Sequence, residues 1–146
     1  MDTQPMEILL VEDNEDDIVL EREALAEAKL INLMSVVRDG EEAMAFLRRE
    51  GKYQNAQVPG LILLDINMPK KNGFEVLNEI KADPTLVHIP VVMLTTSDNE
   101  ADVVKSYAKG ACSYITKPMD FDKFREVAKQ FALYWALVAR IPSRAR

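Results

Sequence analysis

Leu61-Ile62-Leu63-Leu64-Asp65-Ile66-Asn67-Met68-Pro69 begins with four apolar residues in a row, meets a carboxylate, and runs into a turn built on Met68-Pro69. An apolar run of this length bounded by a turn signal reads as a strand buried on both faces. The first charged residue after it then stands at the strand's carboxyl end. In open parallel α/β sheets that edge is where ligands bind. Asp65 is thereby placed where chemistry is expected, and the chain on either side can be read for what surrounds it.

Upstream, Glu7-Ile8-Leu9-Leu10-Val11 is a second apolar strand that ends in Glu12-Asp13, with Asn14 placed to cap a helix. Ile18, Ala24, Leu25 and Ala28 give that helix an inward face, with Glu21, Arg22 and Glu23 mostly outside. Leu33 to Val37 is the next strand. Asp39-Gly40 turns the chain into a helix over 41–49 whose apolar set is Ala43, Met44, Phe46 and Leu47, and 51–60 is a polar loop.

Downstream, Gly73 starts a helix carrying Phe74, Val76, Leu77 and Ile80, which stops before Asp83-Pro84. Pro90 introduces Val91-Val92-Met93-Leu94, which runs into Thr95-Thr96-Ser97. Asp98 or Asn99 caps a helix with Val103, Val104 and Tyr107, and Lys109-Gly110 closes it. Ser113 to Thr116 is a short last strand before Lys117-Pro118, and Asp120 caps the final helix. Five strands alternating with five helices, mostly through short connections, call for a doubly wound α/β fold: a parallel sheet with helices on both faces.

The 146 residues suit a single domain. One cysteine, Cys112, rules out an intramolecular disulfide. Met1 to Pro5 lacks the basic-then-apolar pattern of a secretory signal, and no apolar run approaches a membrane span, so a cytoplasmic location is expected. The net charge of -6 argues against nucleic-acid binding, because an acidic surface repels phosphate backbones.

The polar residues at the strand ends form a constellation. The first strand supplies Glu12 and Asp13, the third Asp65, the fourth Thr95 and the fifth Lys117. The second ends in Arg38-Asp39 and adds nothing obvious. In a parallel sheet these ends share one edge. At roughly 4 Å and an effective dielectric near 20, each pair of carboxylates there repels by about 4 kcal/mol. Either a proton is held or a cation binds. An all-oxygen donor set with no His or Cys favours a hard cation, and Mg²⁺ fits best. A carboxylate, a Mg²⁺, a lysine and a hydroxyl together make a phosphoryl-transfer site. Asp65, on the central and most apolar strand, is the expected nucleophile. Asp13, Glu12 and the backbone carbonyl of Asn67 are the expected metal ligands beside it.

Leu9-Leu10-Val11-Glu12-Asp13-Asn14, Leu64-Asp65-Ile66-Asn67-Met68-Pro69 with Gly73, Leu94-Thr95, Gly110-Ala111 and Tyr114-Ile115-Thr116-Lys117-Pro118 occur in this order, each at a strand end. In this the chain resembles the receiver domain of two-component response regulators, over about residues 6–130. The resemblance implies a flavodoxin-like sheet of strand order 2-1-3-4-5. It implies a signalling protein rather than an enzyme, in which Asp65 accepts a phosphoryl group from a phosphohistidine of a sensor histidine kinase. Asp13 would hold Mg²⁺ directly and Glu12 through water. Thr95 would bond the phosphoryl oxygens, Tyr114 would follow by changing rotamer, and Lys117 would pair with the phosphoryl group, with Lys117-Pro118 a cis peptide. Asn67 and Ser97 would tune hydrolysis. The output would be a changed surface on the fourth helix, fifth strand and fifth helix.

Phe121, Phe124, Ala128, Phe131, Trp135 and Val138 form one apolar stripe, but Phe131 to Ala139 is apolar throughout. One face of that helix meets the sheet, so Tyr134 and Leu137 must go elsewhere. A homodimer or partner site through Phe131, Tyr134, Trp135, Leu137 and Val138 is expected from this extension, and residues after it form a short basic tail. A single-domain receiver with such an extension is similar to the small regulators paired with bacterial phytochrome kinases. The rival readings are three. An aspartate-nucleophile phosphatase would want a carboxylate where Asn67 stands. A flavin binder would need a phosphate-cradling loop where Glu12 to Asp17 is acidic. A scaffold-only receiver would not need the full residue set.

Overall fold

The computed structural model describes residues 7–27, 33–95, 103, 105, 107–111, 113–116 and 126. Strand β1 (Glu7–Val11), helix α1 (Glu15–Glu27), β2 (Leu33–Val37), α2 (Gly40–Leu47), β3 (Leu61–Asp65), α3 (Gly73–Ala82), β4 (Val91–Thr95) and β5 (Ser113–Thr116) follow in order. Val103, Lys105, Tyr107 and Ala108 are helical between β4 and β5, and Glu126 is helical beyond them. The five strands form one parallel sheet in the order β2-β1-β3-β4-β5. The extended C-terminal helix, the cis peptide at Lys117-Pro118, the caps at Asp98, Asn99 and Asp120, and Cys112 lie outside the described residues.

The centre of the sheet explains its composition. Every residue of β3 is buried, and β1 is buried from Ile8 to Val11. A strand with neighbours on both edges and helices on both faces has no polar side to show, so its sequence is a continuous apolar run. On one face Val76, Leu77 and Ile80 of α3 and Ala43, Met44 and Leu47 of α2 pack against Leu9, Ile62 and Leu64. Helices α1, α2 and α3 each begin on a side-chain cap. Asn14 Oδ1 accepts the Asp17 amide at 3.0 Å, Asp39 accepts the Glu42 amide at 2.8 Å, and Asn72 and Glu75 bond each other's amides in a full capping box.

Three local expectations need correction. Glu21 is buried rather than exposed, while Arg22 and Glu23 are exposed as expected. Three residues after Ile18, it falls on the inward stripe of α1, and helical phase outweighs its charge. Helix α2 ends at Leu47 rather than Arg49: Arg48 caps it, and Arg49 takes a left-handed backbone with φ 57°. Tyr107 is exposed, so Val103 alone of the described pair packs on the core. The stop at Gly110 is as expected, with φ 101° and its amide bonded to the Tyr107 carbonyl at 3.0 Å.

Candidate functional site

The acidic rim is built by strand register. Val11 faces Leu64 across β1 and β3, so Glu12 and Asp65 emerge side by side, with Asp13 next. One carboxylate oxygen from each of Glu12, Asp13 and Asp65 lies within 4.8 Å of the others, with Glu12 and Asp65 buried and Asp13 exposed. Each buried acid also holds the amide two residues on. Glu12 Oε2 accepts Asn14 N–H at 3.2 Å, and Asp65 Oδ1 accepts Asn67 N–H at 3.3 Å. These bonds set the carboxylates' orientation at the mouth of the sheet. The donor set is all oxygen and lies close enough to share one small hard cation.

Asp65 is held by its backbone as well. The Ile66 amide donates to the Leu94 carbonyl at 2.9 Å, extending the β3–β4 ladder past Asp65. The Gly73 amide donates to the Ile66 carbonyl at 2.8 Å, so α3 starts directly against the end of β3. A methyl group at Gly73 would sit 2.5 Å from the Asp65 carbonyl oxygen and 2.7 Å from the Ile66 Cα. Glycine is needed there for space, because backbone atoms cannot rotate away.

Thr95 follows Leu94, the register partner of Asp65, and is itself paired with Thr116 at the end of β5. The backbone thus brings Thr95 to the rim. Lys117, Ser97 and the interface residues Phe131, Tyr134, Trp135, Leu137 and Val138 lie outside the described residues. Tyr114 is buried and belongs to the core cluster.

Sequence reasoning passed over the β2–α2 turn. Asp39 Oδ2 lies 3.5 Å from Lys70 Nζ, and Gly40 abuts Lys71, so the turn touches the loop that follows Asp65. Within that loop Lys70 has φ 67° and the Lys71 amide donates to the Pro69 carbonyl at 2.8 Å, a tight three-residue turn. Lys71 also pairs with Glu79, which Arg48 approaches to 3.3 Å. Lys105 Nζ lies 4.4 Å from the centre of the Phe74 ring, a cation–π contact onto the first turn of α3. No local signal marks these partners, which are far apart in the chain. Beside the turn, Tyr53 donates its hydroxyl to Glu42. Burial, then the bond to Glu42 and its charge, push the phenol above its usual range. Burial works against the Glu42 carboxylate, but Tyr53, the Arg38 amide and Lys52 outweigh it and hold its pKa below normal.

Comparison with known proteins agrees with this architecture. Residues 8–129 match the family described as the response regulator receiver domain. Response regulator Rcp1 of Synechocystis sp. is 43% identical over 139 residues, covering 95% of each chain. The crystal structure of the phosphorylated cyanobacterial phytochrome response regulator RcpA superposes with a TM-score of 0.79 at 50% identity, over 96% of this chain and 100% of that one. The Mn²⁺-bound form of Rcp1 superposes with a TM-score of 0.78 at 43% identity, over 95% of this chain and 100% of the other. Among the described residues no helix is long and apolar enough to cross a membrane. With its central acids on one rim of a 2-1-3-4-5 parallel sheet, the chain belongs to the response regulator receiver domain family.

Proposed function

We propose that this chain is a single-domain cytoplasmic phosphoacceptor spanning 1–146, and that it takes a phosphoryl group from a sensor histidine kinase onto Asp65. One observation carries the reading: the meeting of Glu12, Asp13 and Asp65 at the β1–β3 rim. An Asp65 carboxylate oxygen attacks phosphorus, the phosphorus–nitrogen bond of the donor phosphohistidine breaks, and the imidazole leaves with the electron pair. An acyl phosphate remains on Asp65. Glu12, Asp13, Asp65 and the Asn67 carbonyl are the residues that would hold Mg²⁺. When bound, that ion offsets the negative charge shared by the carboxylates and the incoming phosphoryl oxygens. Thr95 supplies a hydroxyl donor and Lys117 a cation to the same group.

Phosphorylation adds roughly -1.5 to -2 charges and strong acceptor oxygens. Drawing Thr95 and Lys117 toward them moves the backbone that leads into the fourth helix and out of β5. Tyr114 fills the space this opens, and the surface of that side changes. The donor is a bacterial phytochrome kinase, a reading supported by the likeness to Rcp1 and RcpA. A homodimer through Phe131, Tyr134, Trp135, Leu137 and Val138 completes the proposal, and sedimentation of a monomer at micromolar concentration overturns that part. Incubation with acetyl phosphate and Mg²⁺ followed by intact mass tests the whole. The wild type gains one phosphoryl group and Asp65→Asn gains none. Absence of a gain in the wild type rejects the acceptor role.

A further inference from the structure

We propose that α2 is a positioning clamp for the loop 66–72 that follows the acceptor, with Gly40 as its contact point. The proposal deepens the acceptor reading and rests on it. A methyl group at Gly40 would fall 2.6 Å from Lys71 Cβ, 2.8 Å from its carbonyl carbon and closer still to the carbonyl oxygen. Gly40 does not have a positive φ, so its backbone conformation is open to any residue. What the position requires is an absent side chain, because the start of α2 lies directly on the backbone of Lys71.

Both ends of α2 hold the same loop. At the amino end the capping residue Asp39 faces Lys70, which sits in a left-handed conformation at the tip of the tight turn. At the carboxyl end Arg48 reaches Glu79, and Glu79 in turn pairs with Lys71. Lys71 is thus gripped through its backbone by Gly40 and through its ammonium by Glu79. The other margin of the loop is held by the Gly73 amide on the Ile66 carbonyl. Between the two grips lies Asn67, whose amide bonds Asp65 and whose carbonyl is the proposed metal ligand.

Ordinary carbon–carbon contact needs roughly 3.5–4.0 Å, so a methyl group at Gly40 displaces Lys71 by about 1 Å. Metal sites tolerate only about 0.2 Å in ligand distance. A loop this short, pinned at Gly73, passes the displacement on to Asn67. Gly40 therefore acts on the acidic rim without touching it.

Mg²⁺ titration by calorimetry on the full chain tests the clamp, with thermal melts alongside. Gly40→Ala weakens Mg²⁺ binding about tenfold, the scale of losing an outer support of a metal ligand. Ile89→Ala, which opens a hole in the core just before β4, at the end of the sheet opposite the rim and away from α2, lowers the melting temperature but leaves Mg²⁺ affinity within twofold. Asp39→Asn keeps a capping oxygen, removes the charge facing Lys70 and weakens binding about threefold. That arm decides alone if Gly40→Ala does not fold. Wild-type affinity in Gly40→Ala or in a folded Asp39→Asn, or an equal loss in Ile89→Ala, overturns the clamp while leaving the acceptor reading intact. A wild type that binds no Mg²⁺ and gains no phosphoryl group overturns both.

Discussion

Val11 of β1 and Leu64 of β3 are direct register partners, and that pairing sets Glu12 against Asp65 at the rim. The acids are brought together by the ladder, whatever their mutual repulsion. Like charges held this close are expected to repel when no divalent ion is bound. Asp13 is the exposed member, so solvent reduces its share to about 1 kcal/mol. Asp13→Asn is expected to melt about 3 °C above the wild type in EDTA. Millimolar Mg²⁺ is expected to erase or invert that difference, and melts in the two buffers check it. A variant no more stable than wild type in EDTA would show that the rim is not strained by like charge.

Gly73 stands against the Asp65 carbonyl with no room for a methyl group. Gly73→Ala should lower stability by about 2–3 kcal/mol, the cost of forcing extra volume into a packed site. The loss is read as a lower midpoint in urea with an unchanged slope. A midpoint within error of wild type would mean that α3 moves away from β3 at little cost.

Asn72 and Glu75 cap α3 reciprocally, each side chain accepting the other's amide at 3.0 Å. Asn72→Ala should cost about 1 kcal/mol. Asn72→Asp, which keeps the acceptor, should stay close to wild type. Chemical denaturation of the three proteins separates a capping loss from a general effect of substitution.

The Tyr53–Glu42 hydrogen bond ties stability to pH at both ends of the scale. The Glu42 pKa is lowered below 4.5, so its contribution is present above that value and is lost as pH falls through the folded-state pKa. The Tyr53 pKa is raised above 10.0, so its contribution is present below that value and is lost as pH rises through the folded-state pKa. Tyr53→Phe should therefore be less stable than wild type between about pH 5 and 10, by about 1 kcal/mol. The gap should narrow in acid and in alkali. A gap constant from pH 4 to 11 would dissociate the pair from stability.

The strands were legible because a centrally placed parallel strand must be apolar at every position, as β3 is from Leu61 to Leu64. The meeting of Glu12, Asp13 and Asp65 was legible for a related reason: each follows such a run, and parallel strands end at one edge. Glu21 was misplaced because its charge was weighed above its helical phase. The end of α2 was misplaced because Arg49 adopts the left-handed backbone without the usual glycine. The partnership of Asp39 and Gly40 with Lys70 and Lys71 could not be read at all. It exists only once β2 and β3 have been brought to either side of β1, and nothing local to either segment encodes it.

The pairing of β1 with β3 has a last consequence for when the protein can signal. A slip of one residue between them would separate Glu12 from Asp65 by about 3.3 Å and turn alternate side chains to the wrong face. On the acceptor reading proposed above, a chain caught part-way through folding, or in the wrong alignment, has no cluster to receive a phosphoryl group. Misfolded copies would then stay silent toward the kinase and would not drain its supply of phosphate.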